Sequence, residues 1–485
     1  MANYLHGVRG LLMPSVTSGA QTVGTTAAYV GTAPVNLVRG YKDLDLVNHA
    51  VQLSSFANSE ATMGYSSDWS SFTLCEAMAT HFNNAVNNVG DIYVINVLDP
   101  ATHVSDKKTT VSLTFVNKKA TVKSDTIIID SFAIEGKTEG VDYSLSYSYA
   151  SGTLTVTLLK DSDASTLSAA YDTVDVSKVT ANDIIGEVTS DGVYKGLEAL
   201  EFLWQDYGVQ LSLLAAPGWS DKPAVYQAMC AKVQKLNNHW YGMVVADIPI
   251  SSAATIEEAK NWKTSNGYDS EFSVVGWPMI KDSAGNVHHM STEFMVTQMA
   301  VDSANNDIPF ESASNKAIDA SSLYFGEGAK NRGLTEQTAN ELNAAGITTA
   351  VYSFGDFVLW GPHTAAYKYG GSHDVRDTFV SYIRVLEYII NSFQIRHAGE
   401  IDTPLTVNKR DSIIADEISF LNGLKSVGAL VGDAAVTFVS AENSSSDIMN
   451  GEFTWNVNVT VTPDFKSATI KAAYTDEGLS AFTVE

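Results

Sequence analysis

The chain has 485 residues, 45% of them hydrophobic and 18% charged, proportions that exclude a largely disordered protein. That length favours about three domains, each burying a core of its own. With 30 Lys and Arg against 55 Asp and Glu, the formal charge of −25 excludes a surface that tracks phosphates, so no direct nucleic-acid binding is expected.

No run of residues approaches the roughly 18 consecutive apolar positions of a membrane span, and the opening MANYLHGVRGLLMPSV holds too short an apolar run for a signal-peptide core. The expectation is a soluble protein made in a cytoplasm, with no stable membrane insertion. Its two cysteines, Cys75 and Cys230, each sit among apolar neighbours in a helical pattern, which suits buried free thiols.

Residues 1–24 mix Gly7, Gly10, Pro14, Gly19 and Gly24 with Tyr4, Leu5, Val8, Leu11, Leu12 and Val16, and show no periodic apolar face. They read as an extended N-terminal arm. Thr25 to Val35 is a buried-type strand closed by Pro34. A helical pattern from Phe72 to Asn87 then feeds a strand at Ile92 to Leu98. From 101 to 185 the chain turns to short alternating runs at Thr110–Val116, Thr126–Ile134, Tyr143–Tyr149 and Leu154–Leu159, the signature of a small all-β domain inserted into a loop.

Helix and strand patterns alternate again from 186 to 371, so that 25–100 and 186–371 together read as an α/β core with a mixed sheet flanked by helices. Residues 372–478 read as an α+β C-terminal domain. Its first helix, Asp374 to Ile395, carries the stripe Phe379, Ile383, Leu386, Ile390 and Phe393. Its second, Asp411 to Val427, carries Ile414, Ile418, Leu421 and Leu424 and stops at Gly428. Beyond them Phe453, Trp455, Val457, Val459 and Val461 alternate with Thr454, Asn456, Asn458 and Thr460, the period of a half-buried strand. Residues 479–485, with Leu479, Ala481, Phe482 and Val484, read as a C-terminal arm.

Three places carry a family likeness: His6-Gly7-Val8 with Gly31-Thr32-Ala33-Pro34; Leu342-Asn343, Gly346-Ile347 and Trp360-Gly361; and Leu424 to Leu430 followed by Glu442-Asn443 and the restart at Gly451. In these the chain resembles contractile-tail sheath proteins, the subunits of the outer cylinder of phage and phage-like injection machines. The resemblance runs over nearly the whole length apart from the β insertion. It implies an α/β core, subtilisin-like in the family, and a structural role in a virion tail assembled in a host bacterial cytoplasm. It also implies self-assembly as six-subunit rings in a helical stack, an inner tail tube protein, and baseplate and tail terminator proteins as further partners. Contraction on triggering drives the tube through the target envelope. In that setting Tyr4, Leu5, Val8, Leu11, Leu12, Phe482 and Val484 become inter-subunit arms, and the sheet holding Phe453, Trp455, Val457, Val459 and Val461 becomes their acceptor.

A subtilisin-like fold makes a Ser-His-Asp triad worth seeking, but the chain holds no Gly-x-Ser-x-Gly elbow and no Gly-Thr-Ser motif. His363, His373 beside Asp374, and His397 read as packing or surface residues. His288-His289 near Glu293 is the best metal-like cluster, and it reads as a turn pair, because neighbours on a strand point to opposite faces. The Gly-rich stretches Tyr324–Gly333 and Lys368–Asp374 lack a Gly-Lys-Ser/Thr ending and read as loops, as does AENSSSDIMNG. No catalytic, cofactor-binding or metal residue is assigned, and no cofactor is expected. Two other readings stand beside the structural one: an α/β serine hydrolase, and a carbohydrate- or surface-binding protein using the Tyr-rich insertion.

Overall fold

The computed structural model describes residues 24–87, 89–160, 166–331 and 333–482. The central sheet joins β1 (Ala27–Gly31), β2 (Ala50–Leu53) and β3 (Ile92–Asn96) to three strands that follow an intervening β unit, β10 (Leu213–Ala215), β11 (Met243–Asp247) and β12 (Ser273–Gly276). The strand order is β12-β11-β10-β1-β3-β2, all parallel except the edge strand β2. Every residue of β1, β3, β10, β11 and β12 is buried, as a parallel sheet covered on both faces requires.

The helices of this unit include α1 (Phe56–Met63), which lies against β2, α2 (Thr73–Phe82), which lies against β1, α3 (Ala181–Ile185) and α4 (Leu203–Tyr207). Further along come α5 (Pro223–Val233), α6 (Ile256–Ser265) and α7 (Met290–Ala304). Pro223 sets the first turn of α5, and Thr255 with Glu258 closes α6 in a capping box. The 15-residue α7 lies against α2, β10, β11 and β12.

The β unit comprises β4 (Thr109–Thr114), β5 (Lys119–Lys123), β6 (Ala133–Ile134), β7 (Tyr143–Ser148), β8 (Thr153–Leu158) and β9 (Thr166–Tyr171). They form two antiparallel three-stranded sheets, β4-β9-β6 and β5-β8-β7, around Leu113, Ile127, Phe132, Leu154, Val156 and Tyr171. The run Thr126–Ile134 is corrected here: it is a 3₁₀ turn followed by the two-residue β6. β5 and β9 were not among the expected strands. In β5, three of the five residues face solvent, so its inward pair Ala120 and Val122 is too sparse to show a pattern. Asn36 donates to the carbonyls of Asp125 and Ile127, and Leu37 is part of this unit's apolar cluster, so the unit is seated on the chain before β2.

Two smaller sheets follow: β13 (Met279–Lys281) between β14 (Val287–His288) and β15 (Ser322–Tyr324), and the hairpin of β16 (Thr349–Ser353) and β17 (Asp356–Trp360). Helix α8 (Glu336–Asn343) packs on β16. Two motif glycines have physical reasons. A Cβ on Gly31 would meet Thr73 Oγ1, and one on Gly346, whose φ is +67°, would lie 2.6 Å from the Tyr367 carbonyl. Asn343 bonds the carbonyls of Ile347 and Trp360, tying α8 to the hairpin.

The last unit holds α9 (Val380–His397), α10 (Val407–Ser426), β18 (Ala435–Thr437), α11 (Ser445–Asn450) and β19 (Asn456–Asn458). α10 starts earlier than Asp411, because Thr406 caps it by accepting from the Lys409 amide. Residues 445–450 of the expected loop are the short helix α11, closed by a Ser444–Asp447 capping box. The stripe expected on α9 is also corrected. Ile390 is exposed, while Arg384, Glu387 and Asn391 are buried, since this face meets polar partners on the core. On α10, likewise, Glu417 is buried and Ile418 lies at the surface.

Candidate functional site

The acceptor residues expected in the last unit come together. β18 and β19 pair antiparallel with Val436 opposite Val457, and the ladder continues through a Leu430–Val461 bridge with Val431 N–H donating to Thr460 O at 2.9 Å. Val457, Val459 and Val461 pack on the cluster of Val385, Ile389, Leu421, Leu424 and Leu430. Phe453 and Trp455 lie outside β19 and join Phe438 and Phe393 in an aromatic group centred on Trp455, with ring separations of 5.5 to 6.3 Å. Asn443 holds the connecting loop shut, bonding Val439 O, Thr454 O and Thr454 N–H. Beneath the sheet, α9 and α10 are joined by Arg396 and His397, which both bond Glu417 while the Arg396 guanidinium lies 3.7 Å from the Phe420 ring centroid. These donors hold the Glu417 carboxyl below its ordinary value against the opposing effect of burial.

Among the described residues this sheet has two strands and so two open edges, and a two-stranded sheet gains stability by adding a third. From Phe465 to Phe482 every residue is exposed, including Phe465, Ile470, Tyr474, Leu479 and Phe482. The exposed run thus starts well ahead of Leu479, and Phe482 sits in a 3₁₀ turn (Glu477–Phe482). At its root, Ser381 Oγ donates to Asp464 Oδ1 at 3.0 Å. Burial, with Glu311 adding to it, pushes the Asp464 carboxyl up to about 6 despite that bond. Tyr4, Leu5, Val8, Leu11, Leu12 and Val484 lie outside the described residues.

In open parallel sheets, ligands sit beyond the carboxyl ends of the strands where the strand order reverses. Here that place is filled by side chains around the start of α7. Asp247, ending β11, accepts from Ser291 N–H at 2.8 Å and from the Ser291 hydroxyl at 2.5 Å, with Ser220 Oγ at 3.4 Å. Glu76 of α2 bonds the His289 amide, the His289 ring and Thr292 Oγ1. Glu293 bonds His288 Nε2 and Asn84, and accepts from the Asp319 amide. Carboxylates at a helix N-terminus are favoured by its unpaired N–H groups and dipole. Burial would lower His289, but Glu76 raises it to about 9. Burial pushes Asp247 up, offset in part by His289.

His288 and His289 are therefore buried or half-buried partners of two different carboxylates, a correction to the turn reading. Among the described residues no group of three or more His, Cys, Asp or Glu is arranged to hold a metal ion. His363 stacks between Tyr367 and Phe379 and is held near 4 by burial. His373 bonds Thr378, and the turn before it leads to a 3₁₀ helix at Val375–Thr378. Cys75 and Cys230 are buried free thiols. Among the described residues no helix is long and apolar enough to cross a membrane. The buried Arg384 and Asn391 and the carboxylates around α7 carried no sequence signal, because each is explained by a partner far away in the chain, Asp302 for Arg384 and the Tyr241 backbone for Asn391.

No family model matches the chain. It is 26% identical over 510 residues to the tail sheath protein of Burkholderia phage BcepMu, an alignment that spans 99% of this chain and 98% of the relative. The chain is similar to tail sheath proteins. Among solved structures, it matches a chain of the anti-feeding prophage baseplate with TM-score 0.57 and 14% identity, covering 97% of this chain and all of that one. It matches the sheath complex of an extracellular contractile injection system in its contracted state with TM-score 0.54 and 13% identity, covering 98% of this chain and all of that one. The mixed α/β architecture is thus the sheath fold.

Proposed function

We propose that this chain is the structural subunit of a contractile sheath, stacking as six-subunit rings around an inner tube and shortening on triggering to drive the tube through a target envelope. The observation that carries the reading is the end-to-end alignment with a phage tail sheath protein, which leaves neither chain with a large unmatched region. A neighbour solved as a contracted sheath complex supports the contractile form. The reading assigns no reaction, and the filled carboxyl ends of the central sheet disfavour the hydrolase alternative. It places the protein in the virion tail, assembled in the host cytoplasm, with tube, baseplate and terminator proteins as partners. The six-stranded sheet then corresponds to the subtilisin-like core of the family.

Within this reading, the open β18–β19 sheet accepts arms from neighbouring subunits. The exposed segment from Phe465 to Phe482 and the N-terminal stretch holding Tyr4, Leu5, Val8, Leu11 and Leu12 are the donors, with Val484 extending the first. Backbone ladders of this kind keep subunits linked while their cores move as rigid bodies. Negative-stain imaging of the purified full-length protein tests the function: rings or tubes are expected, and a protein that stays monomeric at high concentration and in the presence of its tube protein contradicts it.

A further inference from the structure

The turn of the β16–β17 hairpin breaks a local rule. Ser353 pairs with Asp356, so Phe354 and Gly355 form a two-residue turn, and φ is positive at both, +52° and +111°. Such turns favour Asn or Asp ahead of Gly, because those short polar side chains tolerate left-handed backbone and a large ring does not. Phe354 nevertheless holds the position, and its ring is fully exposed, the most exposed large apolar side chain among the described residues. Tyr352, two residues earlier, is 65% exposed. Neither the turn nor the core of its own chain gains from the Phe354 ring. A residue that breaks a local rule with no gain inside the fold points to a use outside it.

The same chain carries a hole of the matching kind. A cavity of about 350 Å³ opens where the β unit meets α1 and the chain before β2, with Val38, Leu44, Leu145, Tyr147 and Tyr149 among its walls. The Tyr147 and Tyr149 rings stand edge to face at 5.3 Å, and Tyr147 O–H is fixed by donating to Ser124 O at 3.0 Å. Leu44 is 51% exposed. The volume lies at the small end of the roughly 300–1,000 Å³ of ligand pockets, and apolar and tyrosine walls of that size suit one aromatic side chain. Charge agrees with shape. Arg39 is the one charged residue lining the cavity among the described residues, and it bonds Glu139 while remaining 48% exposed. The exposed charged residue beside the hairpin turn is Asp356.

We propose that the Phe354 turn of one subunit seats in this cavity of a second copy, a head-to-tail contact that rests on the sheath reading for its partner. Knob and hole are different surfaces, so one contact leaves a free knob on one copy and a free hole on the other. Contacts of that kind propagate into rings or helical stacks, whereas a self-complementary patch stops at a pair. The contact is separate from strand exchange through β18 and β19, because it uses side chains of other elements and no backbone ladder.

The test is disulfide trapping between mixed full-length subunits that each carry one new cysteine. Phe354→Cys mixed with Leu44→Cys should form an interchain disulfide under mild oxidation about tenfold faster than Phe354→Cys mixed with Asn422→Cys, an exposed position on α10, as the raised local concentration of a seated pair implies. The native Cys75 and Cys230 are buried and stay out of the reaction. Phe354→Asn, which supplies the preferred turn residue, should keep or raise the urea midpoint while raising the concentration needed for assembly about tenfold in sedimentation velocity, as loss of one buried ring implies. A ring with a merely structural role would lower the midpoint instead. Equal trapping in the two mixtures, or assembly of Phe354→Asn at the parent's concentration, would overturn the proposal, and rings or tubes of the parent would then leave the sheath reading standing. Selective trapping in a parent that forms neither rings nor tubes would keep the contact and remove the sheath reading.

Discussion

Arg384 of α9 and Asp302 of α7 form a two-pronged ion pair, with Nη1 to Oδ1 at 3.0 Å and Nη2 to Oδ2 at 2.6 Å, and both side chains are at most 3% exposed. The same carboxylate accepts from Thr25 Oγ1, just ahead of β1, and from Gln298 Nε2. One buried acid thus gathers the start of the central sheet, the long core helix and the first helix of the C-terminal unit. The pair secures geometry, because two charges taken out of water repay their desolvation when every oxygen and N–H is matched.

Removing the acid should therefore cost more than removing the base. Asp302→Ala strands a buried guanidinium and should lower stability by about 3–5 kcal/mol. Arg384→Met leaves Asp302 with two neutral donors and should cost less. The double variant should fall well short of the sum of the singles in urea unfolding. Singles that add to within about 0.5 kcal/mol would show that the two side chains are energetically independent.

This pair also marks where the sequence stopped being readable. The central strands announced themselves, because β1, β3 and β11 are buried on both faces and read as apolar runs. The alternation from Phe453 to Val461 also survives as alternating burial, although the ladder pairs just Asn456–Asn458 as a regular strand. On α9, however, the apolar stripe led to Ile390, which is exposed, while Arg384 and Glu387 turned inward toward the core. Periodicity registers an apolar face and is blind to a polar one whose partner lies 82 residues away. The carboxylates around α7 were hidden for the same reason, and the length of the exposed C-terminal run was hidden because its strand-like residues pair with no strand among the described residues.

Stability should fall in steps as pH rises. Asp464 is pushed from an ordinary 3.8 to about 6 by burial, so the folded chain holds that proton longer than the unfolded one, and stability declines between about pH 4 and 6. Glu387, raised by burial to about 8 with Arg384 opposing, extends the decline from about 4.5 to 8. His289 at about 9, above its ordinary 6.5, contributes stability that is complete below about 6.5 and lost as pH passes 9. Urea midpoints measured against pH should lose the first step in Asp464→Asn, the second in Glu387→Gln and the third in His289→Gln. A variant that keeps its step would remove that group from the account.

Both thiols should be slow to react. Burial pushes Cys75 up to about 12 and Cys230 to about 11, so at neutral pH little thiolate forms and access is poor. Ellman's reagent should modify neither appreciably in the native protein and both rapidly in guanidinium chloride. Fast native labelling of either would show that its helix opens readily.

The β unit should be removable, provided the cut follows its contacts. Ser105 N–H donates to Thr173 O at 2.8 Å and their hydroxyls lie 2.9 Å apart, so the two ends of the unit are already adjacent. Val174 and Val179 belong to the main core, and a cut reaching Asp183 would take them away. Replacing residues 106–172 with a short Gly-Ser linker, together with Leu37→Ser to cover the face that loses its apolar partners, should leave a soluble folded chain. Aggregation of that variant with the core helices unformed by circular dichroism would mean that the unit is needed for the core to fold.

The last prediction separates folding from assembly. Between Phe465 and Phe482 every side chain is exposed, so deleting the chain after Asp464 removes little beyond the Lys466 ammonium over the Tyr367 ring and should leave the circular dichroism unchanged and the urea midpoint nearly so. Removing residues 1–20 should do the same. Both deletions should abolish tubes, since each takes away a strand that the open β18–β19 sheet of a neighbour would accept. Val457→Pro acts on the acceptor instead. It deletes a backbone donor opposite Val436 and fixes φ within the ladder, so it should lower the unfolding midpoint as well as block assembly. Sedimentation velocity reads all three: long particles from either truncated chain would rule out arm exchange through this sheet, whereas loss of tubes in the truncations with stability intact, against loss of both in Val457→Pro, would place the donor and the acceptor on the two sides of one contact.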